Sequence, residues 1–138
     1  MDERDRLDLL TRRIIGAAIE VHRVPGPGLL ESAYEACLAF ELTQSGLSFR
    51  QQVPLPVRYK QVQLDCGYRL DLLVEDAIVV EVKAVDALAP IHQAQIMSYL
   101  RLAEKKVGLL INFNVRVLKQ GLKRVVNDFP ELPARYLG

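Results

Sequence analysis

In RLDLLVEDAIVVEVK, residues 69–83, two apolar runs flank a polar Glu75–Asp76 turn, and three charges interrupt them. Asp71 breaks the first run; Glu81 and Lys83 break the second. The two-residue period of a strand puts Glu81 and Lys83 on one face, and Val80 and Val82 on the other, toward a core. Folding the arms about Glu75–Asp76 sets Asp71 opposite Val80 and diagonal to Glu81, and a one-residue bulge brings the two carboxylates side by side. Close carboxylates repel, so one is protonated or a cation sits between them. Hard oxygen ligands with open positions suit Mg²⁺, with Mn²⁺ as the alternative. A neighbouring ammonium can stabilise a phosphorane-like oxygen or orient a water. Together these groups could carry out metal-assisted phosphodiester hydrolysis. The competing reading is a structural ion pair between Lys83 and one acid on a solvated sheet face, since short charged patterns arise by chance.

Two further stretches bear on this choice. QIMSY places Gln95 and Tyr99 four residues apart on one helix face, shared with Ile91, Ser98 and Leu102 and therefore expected to face the core. A glutamine there needs a partner: a satisfied buried amide on one reading, a group that orients the lysine, a water or a nucleic-acid backbone on the other. In GLLESAY, Glu31 and Tyr34 open a second helix. The helix dipole alone favours a carboxylate there, but it does not explain why PGPG fixes the chain immediately before it. Aimed at the sheet, Glu31 would be a third carboxylate, completing a metal shell with Asp71 and Glu81.

The elements that must position these residues follow from periodicity. Leu7, Leu10, Ile14, Ala18 and Ile19 predict a helix over about 4–22, ended by RVPGPG. A second helix runs from Leu29 to about Gln44 with Leu30, Ala33, Tyr34, Cys37 and Leu38 as its stripe, and Gly46 suits the position after its end. Val53, Leu55, Val57 and Tyr59 alternate around Pro54 and Pro56, which makes this run an edge or bulged strand. A strand over Val62–Tyr68 leads into the charged hairpin. Pro90 opens a third helix reaching about Ala103. VGLLINF is a strand covered on both faces, and LKQGLKRVV holds a glycine turn and a short final strand. The expected class is α/β, a mixed sheet with an antiparallel meander and one further buried strand, flanked by helices, in a single domain over 1–138.

Composition is globular, with half the residues hydrophobic and a quarter charged. No apolar run approaches the roughly 20 residues of a membrane span, and the N-terminus lacks an apolar signal region. Cys37 and Cys66 are expected to be reduced, buried thiols of a cytoplasmic protein. Net charge is +1, yet the segment from Glu104 to Asn127 carries +5. Lys119, Lys123 and Arg124 bracket Gly121, and a hairpin there would present them together to a polyanion; the plain alternative is a solvated surface. His22 suits a helix C-terminus, with a phosphate contact as the lesser option. His92 faces either the cleft or the first helical turn. Tyr59, Tyr68 and Phe113 are expected in the core, and Asp86, Asn112 and Asn114 could flank the site.

The order Glu31, Asp71, Glu81-Val82-Lys83, Gln95-xxx-Tyr99 resembles the PD-(D/E)XK nuclease superfamily, in the QxxxY branch of RecB-type and lambda-exonuclease-like enzymes. More narrowly, Gly28-Leu-Leu-Glu31-Ser-Ala-Tyr34 is similar to the signature of the small bacterial GxxExxY proteins, as are EVHRVPGPGLLESAYEACLAFEL, GYRLDLLVED, QIMSYLRL and GLLINFNV. The resemblance implies a restriction-endonuclease-like core and a Mg²⁺-dependent nuclease acting on DNA before RNA. It casts Glu31 as the helix carboxylate, Asp71 and Glu81 as metal ligands, Lys83 as the catalytic lysine, and Gln95 and Tyr99 as the motif beyond the sheet. Leu70 stands where the superfamily's name has proline. A chain of this size has no room for a separate DNA-reading domain, so specificity is low or comes from a homodimer or partner. The other classes to weigh are a catalytically inactive nucleic-acid-binding module and a partner or regulatory subunit that keeps the fold.

Overall fold

The computed structural model describes residues 1–127. Positions 128–138 of the expected single domain lie outside the described residues. Helix α1 spans Glu3–Arg23 and α2 spans Glu31–Gln44. Asp2 caps α1 by accepting the Asp5 N–H at 2.9 Å. Among the described residues seven strands follow: β1 Phe49–Pro54, β2 Val57–Tyr59, β3 Val62–Leu64, β4 Arg69–Val74, β5 Ile78–Lys83, β6 Val107–Asn112 and β7 Leu122–Val126. Helix α3, Pro90–Ala103, carries the chain from β5 to β6.

Five strands form one sheet in the order β1-β4-β5-β6-β7. All neighbours are antiparallel except β5 and β6, the parallel pair that needs a helical crossover. Helices α1 and α2 cover one face, with Leu10, Ile14, Leu38 and Leu42 against Leu72, Val80, Val82 and Ile111. Helix α3 covers the other, with Ile96, Tyr99 and Leu100 against Leu70, Val79 and Leu110. The two central strands are therefore buried on both faces, as their near-continuous apolar runs require.

Departures from the sequence expectations cluster before β4. The predicted run over Val53–Tyr59 breaks after Pro54. Pro56 has no N–H for a ladder, and the chain leaves the sheet to form a separate two-stranded hairpin of β2 and β3, turning at Lys60 with φ 57°. Tyr59 and Tyr68 are consequently exposed, and only Phe113 of the three expected core aromatics is buried. Cys37 and Cys66 are also exposed rather than buried. On α2 the packing face is Tyr34, Leu38, Ala39 and Leu42; Leu30 precedes the first turn and is exposed. Gly46, at φ 78°, follows that helix as predicted.

No hairpin forms about Gly121. The chain makes a 3₁₀ turn, Leu118–Gly121, and β7 pairs back along β6. This turn presses on the end of β6: a Cβ built on Gly121 would lie 2.1 Å from the Asn112 carbonyl oxygen. We expect Gly121→Ala to lower stability in urea titration by about 1–3 kcal/mol or more, because backbone rather than a flexible side chain must yield. An unchanged midpoint would show that the turn is not held against β6.

Candidate active site

The site is set by register. β4 and β5 pair from Val74↔Ile78 to Leu72↔Val80, which brings Asp71 in line with Glu81 without the expected bulge. The connection holds three residues rather than two: Glu75 and Asp76 have φ of 52° and 51°, and the Ala77 N–H closes on the Val74 carbonyl at 3.0 Å. Beyond Leu72 the main-chain ladder gives way to side chains. The Asp71 N–H donates to Glu81 Oε1 at 3.1 Å, and the Val82 N–H donates to Asp71 Oδ2 at 2.8 Å. On the other flank of β4, Gln52 has φ 51° and drops out of the β1 pairing, and its amide donates to Asp71 Oδ1 at 3.3 Å.

Asp71 is thus met by two donors, whereas Glu81 is 5% exposed and accepts one. Burial, and then the Asp71 carboxylate, push the Glu81 carboxyl up to about 8, against the opposing pull of Lys83. At neutral pH Glu81 holds a proton, which it can donate to Asp71. Lys83 lies two residues on, half-buried. Its carbonyl accepts the Phe113 N–H at 2.9 Å. Asn112, in register with Lys83 on β6, is buried and clasps Val85 both ways: Val85 N–H to Oδ1 at 3.0 Å, and Nδ2 to the Val85 carbonyl at 2.9 Å.

The PGPG loop and α2 bring further carboxylates to this end of the sheet. The Tyr34 hydroxyl donates to the Gly26 carbonyl at 2.5 Å and accepts the Leu29 N–H at 3.1 Å, while its ring stacks on Phe113 with centroids 4.7 Å apart. That fixes the loop and the start of α2. Glu31 then accepts the Ala84 N–H at 3.2 Å, one residue past Lys83. Glu35, one turn on, takes the amides of Gln51 and Gln52 at 3.0 and 2.7 Å. Burial, and among lesser causes the Asp71 charge, raise its carboxyl above the usual range. Glu35 was not singled out from the sequence; its spacing four residues from Glu31 on one helix face is the signal that could have found it.

Among the described residues no group of three or more His, Cys, Asp or Glu side chains is placed to hold one ion. The expected shell of Glu31, Asp71 and Glu81 narrows to the Asp71–Glu81 pair, with Glu31 on the backbone instead. The pair still fits Mg²⁺, which keeps several waters and is commonly bound through one or two carboxylates plus substrate phosphate. The proton that Glu81 holds marks a site short of positive charge.

Tyr99 faces this pair. Burial raises its phenol, and the charges of Glu81, Tyr68 and Asp71 add to that. Gln95 is half-buried and lines an open cavity with Ile91, Ser98 and Leu102. These residues do share a face, but Ile91 is 69% exposed, and the core-facing residues of α3 are Ile96, Tyr99 and Leu100. His92 accepts the Ala89 N–H at 2.9 Å and shapes the entrance to α3. His22 is buried and bonds the Val115 carbonyl at 2.6 Å, so neither a helix cap nor a phosphate contact describes it.

The basic trio separates. Lys119 and Lys123 are exposed, whereas Arg124 pairs with Asp8 of α1 at 2.7 Å. Lys123 and Arg124 are adjacent on a strand and so point to opposite faces.

A family model described as the PD-(D/E)XK nuclease superfamily matches residues 8–125 of the chain. Comparison with curated proteins and with solved structures gives no match.

The buried carboxyl makes stability depend on pH. Raised from 4.5 to about 8, Glu81 keeps in the folded state a proton that the unfolded chain releases. Its contribution is therefore full below the unfolded value and is lost as pH rises through about 8. In chelator, melting temperature should fall between about pH 5 and about pH 9, and Glu81→Gln should flatten that decline and equal or exceed wild type at the alkaline end. Asp71→Asn should not stabilise in the same way, because it sets an amide against two existing donors. Parallel pH profiles for wild type and Glu81→Gln would show that Glu81 is not buried uncompensated.

Proposed function

Because the chain belongs to the PD-(D/E)XK nuclease superfamily, we propose that it is a metal-dependent phosphodiesterase acting on DNA, with RNA as the lesser substrate. The observation that carries this reading is the pairing of half-buried Asp71 with buried Glu81, with Lys83 two residues on, at the point where the β4–β5 ladder opens. Asp71 and Glu81 would hold Mg²⁺, or Mn²⁺ in its place, and Glu81 would give up its proton on doing so. A divalent cation there supplies Lewis-acid stabilisation of phosphoryl oxygen and a more acidic bound water. Lys83, whose charge acts on Glu81, would stabilise charge developing on a phosphoryl oxygen or orient the attacking water. Glu31, through the Ala84 N–H, and Asn112, through Val85, position the chain that follows Lys83. Tyr99 would limit water on the α3 side, and Gln95 would meet the substrate there.

The narrower assignment to the GxxExxY proteins is part of this proposal. Each motif position has a structural role: Gly28 turns at φ 108°, Glu31 reaches the Ala84 N–H, and Tyr34 holds the loop through Gly26 and Leu29. No helix among the described residues is long and apolar enough to cross a membrane.

Purified protein should cut DNA with Mg²⁺ or Mn²⁺ and not in chelator. Lys83→Ala, Asp71→Asn and Glu81→Gln should each lower the cleavage rate by about 100-fold or more, while binding in chelator changes only a few-fold. Wild-type protein that binds DNA with no cleavage under any divalent metal would instead favour the inactive binding module. All three of the basic trio are exposed, and Lys119 and Lys123 are the two that form no ion pair among the described residues. Replacing both by alanine should flatten the log–log salt dependence of duplex binding by about 0.9 for each phosphate that is no longer neutralised. An unchanged slope would remove them from the track.

A further inference from the structure

A cavity of about 410 Å³ lies between α3 and the β2–β3 arm, lined by Val57, Tyr68, Gln95, Ser98, Tyr99 and their neighbours on α3. The proposed hydrolysis draws on Tyr99 and Gln95 of this lining and leaves the rest of the space unused. Its volume is in the range that takes small organic ligands, roughly 300–1,000 Å³. Its walls are of three kinds, and Val57, Ile91, Ala94 and Leu102 make the aliphatic part. Tyr68 and Tyr99 stand with ring centroids 5.8 Å apart and planes tilted by 57°, and Tyr68 is 44% exposed. Gln95 and Ser98 bring an amide and a hydroxyl to the same space, and no hydrogen bond within the described protein occupies either group.

Tyr68 is held in place. The Asp65 carboxylate accepts the Gly67 N–H at 3.0 Å, Gly67 turns at φ 76°, and the Tyr68 carbonyl takes the Leu55 N–H at 2.9 Å. The ring is therefore presented at the cavity mouth by a fixed turn, on the arm that the prolines have led out of the sheet. Arg58 and Lys60 are exposed on that arm, which also carries Val57. Aromatic faces, a hydrogen-bonding amide and hydroxyl, and nearby cations are what an unstacked base and its phosphates need. The base of a paired nucleotide cannot enter such a space without leaving its stack.

We propose that this cavity receives an unpaired nucleobase of single-stranded DNA, stacked on Tyr68 and read by Gln95 and Ser98, next to the Asp71–Glu81 pair. The proposal rests on the nuclease reading and adds the strand state of the substrate. A single strand, a frayed end or a flap satisfies it; an intact duplex does not.

The test is binding of fluorescent oligodeoxynucleotides by anisotropy in chelator, so that no cleavage is required. Wild-type protein should bind a single strand more tightly than the same sequence as a blunt duplex. It should lose affinity for a single strand made of abasic residues, and this arm needs no variant to fold. Tyr68→Ala should weaken single-strand binding by about 5- to 150-fold, the range for loss of one base–aromatic stack. Tyr68→Phe should restore it, and duplex binding should change less than about twofold in either variant. Equal affinity for normal and abasic strands, or an equal loss on single strand and duplex, overturns the base pocket even if the protein cuts DNA. Failure to bind or cut either form overturns the nuclease reading and the pocket with it.

Discussion

A carboxyl group taken out of water beside a second carboxylate costs free energy whichever way it titrates, and the centre of this sheet is built around one. Glu81 sits in a strand covered on both faces, with Val80 and Val82 on one side packed beneath α1 and α2. An apolar residue at that position would bury more surface at no electrostatic cost, since uncompensated buried charge is commonly replaced with a gain in stability. The fold instead tolerates Glu81 by letting it keep a proton and accept the Asp71 N–H. Burial beside a charged neighbour is the kind of perturbation that clusters at functional sites, and structural networks share it. The local geometry supports a functional site: the β4–β5 ladder gives up regular pairing only where these two side chains meet.

The rest of the architecture converges on the same end of the parallel β5–β6 pair, where the strands of an α/β sheet offer their carboxyl ends to ligands. Four buried or half-buried residues, each from a different segment, pin the loops there. Tyr34 holds the loop before α2 and stacks on Phe113. His22 ties the end of α1 to Val115. Asn112 clasps Val85, and Gly121 lets the 3₁₀ turn approach the Asn112 carbonyl. None of these residues is a metal ligand. They fix the main chain around Lys83, and a pre-organised site requires such support.

Strand alternation and helical spacing made most of this legible. The two faces of β5, the buried run of β6 and the three helices follow from periodicity alone, and Glu81, Lys83 and Tyr99 fall where their spacing put them. Register was harder. Counting a two-residue turn offsets Asp71 from Glu81 by one position, and only the left-handed conformations of Glu75 and Asp76 reveal the third loop residue. Side-chain partners across distant segments were harder still. Asn112, Gln52 and Glu35 are ordinary polar residues in one dimension, and their roles exist only once β1, α2 and β6 are assembled. Alternation also misplaced Tyr59 and Tyr68, because the strand carrying Tyr59 leaves the main sheet at Pro56, and Tyr68 comes just before the chain rejoins it.

Charge shows the same gap between one dimension and three. The +5 segment suggests a continuous phosphate track, yet half of its cations are engaged elsewhere. Lys105 meets Asp76, Lys106 meets Glu3 at 2.8 Å, and Arg124 meets Asp8. Exposed pairs of this kind add only about 0–1 kcal/mol to stability, but each cancels one positive charge in the field that a polyanion would feel. Lys105 and Lys106 also lie before β6, at the end of the parallel pair remote from Lys83 and Asn112. The cations left to meet phosphate include Lys119, in the turn pressed against the Asn112 carbonyl, Lys123 on β7, and Arg58 and Lys60 on the projecting arm. A sparse set of this kind holds a few phosphates near the cleavage point rather than a long stretch of duplex. Affinity that charge does not supply must then come from stacking, and exposed tyrosines on the β2–β3 arm and at the end of the β3–β4 connection are where the fold offers it.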